Sequence, residues 1–273
     1  MNYKKLMQVM ELAAREAGAI MLRNKPGNRR SKMKTSKRDF VTVADIKSQN
    51  IITAHLQKEF PHIVLLSEEL TPQQQKKVFD ADFTGFVVDP IDGTYNFKRD
   101  MSESAVSVAY VESGEPVAGV VFDPYKNEMY TAIKGRGAMR NGERVRVSGQ
   151  TDMRGASVTT SNSYDDKAMA QNLLRHLAIY NSTGVMPWTN CTGSGVLILT
   201  YLACGRMDIY HHNGLKPWDN AATFLLIREA GGKVLTLKGE EARFTTNNVL
   251  AGTPVLVDQL AKVFSSFDEA LLN

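Results

Sequence analysis

Two carboxylates in the string Asp89-Pro90-Ile91-Asp92-Gly93-Thr94 are the side chains of this chain best placed to do chemistry. The apolar run Phe86–Val88 reads as a strand that delivers Asp89 at its end. Pro90 and Gly93 then shape a tight turn that can hold Asp92 alongside. Neighbouring carboxylates repel, and the usual remedies are a raised pKa on one of them or a cation between them. All-oxygen ligands suit a hard ion such as Mg²⁺, with the Ile91 carbonyl as a further donor. A turn rich in Asp, Pro and Gly is also an ordinary structural device, so the string gains weight only in company. Company exists. Ser67-Glu68-Glu69 follows the strand-like run Ile63–Leu66, Asp219 follows Lys216-Pro217-Trp218 at the start of an apolar helix, and Asp45 opens another helix. Taken singly, each of these acids reads as a helix cap or a solvated helix start.

The elements that must position these acids are legible in the periodicity. Leu6, Met10, Ala13, Ala17 and Ile20 recur at helical spacing, and Pro26-Gly27 sets the latest end of that helix. A second helix follows Thr42, with Ala44, Ile51, Ile52 and Leu56 on one face, and ends near Phe60-Pro61. Runs at 63–66, 86–88, 105–111, 116–122 and 128–133 read as strands joined by short connections, which favours an antiparallel sheet. Beyond Gly149 the pattern alternates: strand 156–160, helix 168–177, helix 193–204, strand 207–210, helix 218–230, strands 233–237 and 249–251. A last helix carries Leu260, Val263, Phe264, Phe267 and Leu271. This predicts a layered α/β fold in two parts. Residues 1–149 form an α+β domain with most of the acids, and residues 150–273 an α/β domain supplying Asp219 and substrate contacts.

The composition is that of a folded globular protein. The chain has 273 residues, 43% hydrophobic and 23% charged, which excludes wholesale disorder and collagen-like repetition. The longest apolar stretch, Val196–Cys204, falls far short of the roughly 20 residues a bilayer crossing needs. The opening residues carry charge where a signal peptide would need an apolar segment. Two cysteines and twelve methionines point to a reducing compartment. A cytoplasmic protein is expected. Net charge is only +4, too small to mark a nucleic-acid binder, but its distribution is uneven. Between Arg23 and Arg38 there are eight basic residues and no acid, leaving the remainder at −4.

The motifs Ser67-Glu68-Glu69, Asp89-Pro90-Ile91-Asp92-Gly93-Thr94, Lys216-Pro217-Trp218-Asp219-Asn220-Ala221-Ala222 and Glu229-Ala230-Gly231-Gly232, in that order, resemble those of the inositol monophosphatase family, Mg²⁺-dependent and typically lithium-sensitive phosphatases. The resemblance runs from the first helix to about Thr253. It implies a five-layer αβαβα sandwich, often dimeric. It also implies two or three Mg²⁺ ions bound by Glu68, Asp89, Asp92, Asp219 and the Ile91 carbonyl, with Glu69 in support. Thr94 and Asp45 would orient the attacking water and help deprotonate it, with Glu68 counted in the catalytic set. The implied chemistry is hydrolysis of a small polyol or sugar phosphate by direct attack of water, in the two-metal manner. Gly93 and Thr94, and Gly193-Ser194-Gly195 at the start of a helix, would present backbone N–H groups to the phosphate.

The chain also departs from the family pattern. Inositol-specific members carry a glutamate seven residues before the Asp of the Trp-Asp motif, and here that position is His212. An imidazole cannot accept from several hydroxyls as a carboxylate does. The two readings of His212 are a substrate contact and a solvent-facing loop shared with His211. Ser67 is reminiscent of 3′-phosphoadenosine 5′-phosphate phosphatases, whereas Tyr95-Asn96-Phe97 is closer to the inositol type; fructose-1,6-bisphosphatase is a further alternative. In relatives the basic segment overlaps a mobile loop over the metals, so Lys34 is expected to meet substrate phosphate. A binding role for segment 23–38 toward RNA or protein is the non-enzymatic alternative. The segment has no aromatic residue on which bases could stack, which argues against nucleic acid.

Overall fold

The structure, a computed structural model, describes residues 1–24, 31–33, 40–80 and 82–266. In chain order it contains helix α1 (Tyr3–Arg23), strands β1 (Ser31–Met33) and β2 (Phe40–Thr42), α2 (Val43–Glu59), β3 (Val64–Ser67), the short α3 (Pro72–Gln75), β4 (Gly85–Asp92) and α4 (Thr94–Lys98). Strands β5 (Ala105–Glu112), β6 (Glu115–Asp123), β7 (Glu128–Ile133), β8 (Ala138–Arg140), β9 (Glu143–Val145) and β10 (Val158–Thr159) follow. The chain continues through α5 (Asp166–Thr183), α6 (Gly195–Ala203), β11 (Ile209–Asn213), α7 (Pro217–Glu229), β12 (Lys233–Thr236), β13 (Asn248–Gly252) and α8 (Pro254–Ser265).

Alternation along the strands assigns the layers. In β4, Phe86 and Val88 join Leu6, Met10, Ile52 and Leu56 in one core, so that face of the sheet carries α1 and α2. Val87 points the other way, into a second core with Leu197, Phe224 and Leu226 of α6 and α7. The sheet has seven strands in sequence order from β3 to β9, antiparallel except for the parallel pair β3–β4. The predicted antiparallel meander is thus present and longer than expected, with β8 and β9 added. A smaller sheet, ordered β10-β11-β13-β12, covers the far side of α6 and α7. A third core, including Ile179, Ile209, Leu250, Leu260 and Phe264, fixes α5 and α8 outside it. The result is the expected αβαβα sandwich.

Lying between two sheets, α6 is buried at every one of its residues, which is why its sequence is apolar all round. No helix among the described residues is long and apolar enough to cross a membrane. The Glu229-Ala-Gly-Gly motif proves to be a fastening: the Glu229 carboxylate accepts from the Gly135 and Gly137 amides at 2.7 and 2.6 Å, tying the end of α7 to the β7–β8 turn. Both cysteines are free thiols. Phe267 and Leu271, expected on the last helix, lie outside the described residues, as do Lys34 and most of the basic segment.

Candidate metal centre and cleft

Asp89 shares the parity of Val87 on β4, so its side chain faces the α6–α7 layer rather than α1 and α2. By strict alternation Asp92 would point the opposite way. The pairing shows why it does not: Asp89 lies across from Ser107 and Asp92 from Ala105, so β4 holds one residue more than β5 between these points. This bulge, at Pro90-Ile91, restores Asp92 to the Asp89 face and turns Ile91 into the α1–α2 core. The sequence reading placed the strand's end at Val88 and a turn after it. Instead the strand continues to Asp92, and the bulge juxtaposes the acids.

On the same side, α7 presents Asp219 in its first turn. Trp218 is docked to the sheet through its carbonyl, which accepts from Ser107 Oγ at 3.2 Å, beside Asp89's own pairing partner. One carboxylate oxygen from each of Asp89, Asp92 and Asp219 can be chosen so that all three lie within 4.8 Å of one another. Helix ends hold two of them. Asp92 Oδ2 accepts from Ser194 Oγ and from the Val196 amide at 3.0 Å, both at the start of α6. Asp219 Oδ2 accepts from the Lys216 amide at 2.7 Å, so it closes the N-terminus of its helix while also facing the cluster. Asp89 is buried, and its Oδ1 accepts from the Ile91 amide at 3.0 Å across the bulge.

The electrostatics follow from the crowding. Burial is the main force raising the Asp92 carboxyl to about 7, opposed by the Ser194 and Val196 hydrogen bonds and aided by the charge of Glu68. Burial and then the Asp92 charge push Asp219 well above the carboxylate range. An all-oxygen cluster of this kind, uncomfortable with its own charge, fits a hard divalent cation.

Beside the acids sits a second pair. Thr94 Oγ1 lies 3.1 Å from Asp45 Oδ1 and 3.0 Å from the Ile91 carbonyl oxygen. Asp45 is fully buried, and its other oxygen accepts from the Thr42 amide at 2.8 Å and from the Thr42 hydroxyl. The capping role and the partnership with Thr94 therefore coexist. Gly93, at φ +79°, begins α4, and a Cβ there would stand 2.7 Å from the Glu103 carbonyl oxygen.

These groups open on one cleft of about 850 Å³. Glu68, Glu69, Asp89, Ile91, Asp92, Gly93, Thr94, Gly193, Gly195, His212 and Asp219 all line it. Glu68 lies just past β3, its amide donating to the Val88 carbonyl at 3.2 Å; it is outside the three-acid group, yet its charge is felt by both Asp92 and Asp219. Ser194, expected to contact substrate, is buried; its hydroxyl holds Asp92 and accepts from the Leu197 amide at 3.2 Å. Two of the first three α6 amides, those of Val196 and Leu197, are thus engaged within the chain, and the first residue, Gly195, lines the cleft. His211 and His212 belong to β11 and are buried, so the solvent-facing loop reading is overturned. Burial and then Arg175 depress the His212 imidazole to about 3, keeping it neutral. Ser161, Ser163 and Trp218 also line the cleft; the sequence carried no signal for the two serines beyond their position after a strand.

The profile of the inositol monophosphatase family matches residues 2–269 of the chain. The chain belongs to this family. Its family relatives include a Xylella fastidiosa protein named Nus factor SuhB, 35% identical over 247 residues that cover 88% of this chain and 84% of the relative. Among family structures, the extragenic suppressor protein suhB of Bartonella henselae superposes with a TM-score of 0.86 at 30% identity, covering 97% of this chain and all of that one. The IMPase of Thermotoga maritima superposes with a TM-score of 0.83 at 28% identity, covering 95% and 96%.

Proposed function

We propose that the chain is a Mg²⁺-dependent phosphatase that hydrolyses monoesters of small polyols or sugars. Family membership supports a phosphatase, and the observation that carries the reading is the convergence of Asp89, Asp92 and Asp219 beside the Thr94–Asp45 pair. In this reading Asp89, Asp92, Asp219, Glu68 and the Ile91 carbonyl hold two or three Mg²⁺ ions. Residues 1–149 supply all of these except Asp219, which comes from 150–273. The ions, when bound, supply charge neutralisation and water activation.

The chain's own groups do the rest. Asp45, anchored by Thr42, accepts the Thr94 hydroxyl proton, so Thr94 Oγ1 offers a lone pair that orients water and draws on its proton. In this reading the Thr94 and Gly195 amides are offered to the phosphate at helix starts, Gly93, whose own amide is bonded to the Asp92 carboxylate, and Gly193 lead into them, and Lys34, outside the described residues, is the cation assigned to the phosphate. His212 contacts the alcohol part of the ester. Lithium sensitivity and a cytoplasmic location accompany this reading. So does pairing of two chains, which the exposed stripe Leu173, Leu177 and Tyr180 on α5 supports.

Phosphate release from inositol 1-phosphate, fructose 1,6-bisphosphate and 3′-phosphoadenosine 5′-phosphate, with and without Mg²⁺ and Li⁺, tests the proposal and ranks the substrate classes. Asp89→Asn is expected to abolish release while the protein stays folded; surviving turnover overturns the metal assignment. Relatives carry the name Nus factor SuhB, and a second reading is a binding role toward RNA or protein, for which the basic segment 23–38 is the candidate on its charge. It requires a salt-dependent RNA or protein affinity that weakens when Arg29, Arg30 and Lys32 are neutralised.

A further inference from the structure

His212 is 3% exposed yet lines the cleft, and its two ring nitrogens have different surroundings. Its hydrogen bonds among the described residues all reach Nδ1: Asn172 Nδ2 at 3.0 Å, Ser161 Oγ at 3.3 Å and Thr160 Oγ1 at 3.4 Å. Nε2 takes none, and unlike His211 Nδ1 it is not an orphan sealed in the interior; its remaining exposure is to the cleft. Which nitrogen carries the proton is decided by the partner behind the ring, Asn172. Asn172, fully buried on α5, has its Oδ1 committed to the Asn213 backbone amide at 2.9 Å and to Arg175 Nη1 at 3.3 Å. A backbone N–H can only donate, so that atom of the amide is the oxygen and the atom facing His212 is the NH₂ group. The NH₂ group donates, and Nδ1 must receive with its lone pair. A neutral imidazole with a bare Nδ1 carries its proton on Nε2.

We propose that Asn172 locks His212 as a fixed Nε2–H donor into the cleft, so that the site selects phosphate esters whose alcohol part offers a proton-free acceptor, such as a ring ether oxygen. The inference rests on the phosphatase reading and goes beyond it. A polyol presents a hydroxyl at that point, which can accept from His212 only by turning its own proton toward another acceptor. A pyranose 1-phosphate has nearly the shape of inositol 1-phosphate but replaces one CHOH by an oxygen without a proton. Asn172 is a positioning residue in this scheme, acting through His212.

The test inverts the donor without changing the cleft wall. In Asn172→Asp one carboxylate oxygen keeps the Asn213 amide, and the other calls the imidazole proton to Nδ1, leaving Nε2 as an acceptor. ¹⁵N NMR of the histidine rings at pH 8.5 reads the tautomer directly, and kcat/KM for glucose 1-phosphate over inositol 1-phosphate reads the preference, with phenyl phosphate as reference. The wild type is expected to show the Nε2–H form and to favour glucose 1-phosphate by about tenfold, the worth of one good hydrogen bond. In Asn172→Asp the tautomer is expected to change and the preference to fall to parity or reverse. His212→Gln, which can still donate, should retain part of the wild-type ratio and covers the case in which the aspartate variant does not fold. An Nδ1–H wild type, or a ratio that stays put while the tautomer moves, overturns the proposal. A wild type inactive on all three esters with Mg²⁺ overturns the phosphatase reading and the preference with it, and the NMR spectrum still decides the orientation of the donor.

Discussion

Replacing Asp92 by Asn separates what the carboxylate costs the fold from what it gives the site. Its pKa rises from 3.8 to about 7 on folding, so the folded state favours the protonated form. The stability this confers is present in full below pH 4 and is lost as pH rises through 7. In a metal-free sample at pH 8, wild type therefore carries a penalty of about 4 kcal/mol, from roughly three pKa units at 1.36 kcal/mol each. Asn removes the charge but weakens the Ser194 and Val196 hydrogen bonds, which gives back about 2 kcal/mol. The net expectation is a variant about 2 kcal/mol more stable than wild type in EDTA, a rise in Tm of roughly 4–8 °C. With Mg²⁺ at a hundred times its Kd, wild type gains about 2.7 kcal/mol. The variant should gain far less and release almost no phosphate. Thermal unfolding at pH 8 with EDTA and with titrated Mg²⁺ gives both numbers, and repeating the EDTA arm at pH 5 should shrink the variant's advantage. A variant less stable than wild type in EDTA, or one answering Mg²⁺ equally, refutes the reasoning.

Further expectations follow from other parts of the site and core. Thr94→Val keeps the shape and removes the proton that Asp45 accepts, so phosphate release should drop by about 10²–10⁴-fold with Mg²⁺ affinity little changed in a calorimetric titration. Burial depresses both His211 and His212, so unfolded chains take up protons first as pH falls below 6.5; Mg²⁺-loaded protein should lose stability between pH 6.5 and 3 at up to about 1.4 kcal/mol per unit per histidine. Urea midpoints at pH 7.5 and 5 measure this, and His211→Phe should flatten the slope. Phe224→Ala, emptying a fully buried position between the sheets, should cost about 3–5 kcal/mol in the same assay. Gly93→Ala forces a Cβ against the Glu103 carbonyl at positive φ and should lower activity through Thr94, read as kcat at saturating Mg²⁺.

The sandwich and its order of elements were largely readable, because helical and strand periods in this chain are clean and long. β8 and β9, three residues each, were invisible for the opposite reason: Ala138–Arg140 and Glu143–Val145 hold too few alternations to be told from loop. Of the candidate site, the acids could be read as a set, but not the means of their meeting. Nothing local in Pro90-Ile91 distinguishes a bulge within a strand from a turn after it, since the difference lies in what β5 offers opposite. The roles of Ser194 and Asn172 were likewise out of reach. Ser194 reads as part of a glycine-rich anion loop until Asp92 is seen to occupy its hydroxyl, and Asn172 sits mid-helix forty residues from the ring it orients. Both depend on contacts between segments distant in sequence, which periodicity does not encode.

The extra residue in β4 acts as a reading frame in space. Were residues 89–92 to pair with β5 one for one, with both Pro90 and Ile91 kept, alternation would run on unbroken and the charge at Asp92 would be aimed among Phe86 and Phe97. Losing one of the two residues would instead leave a regular strand with Asp92 two places after Asp89 on the same side, but without the inward-turned residue that Ile91 supplies to the α1–α2 core. The two aspartates can thus share a face at a separation of three only with the bulge, and at a separation of two only without it.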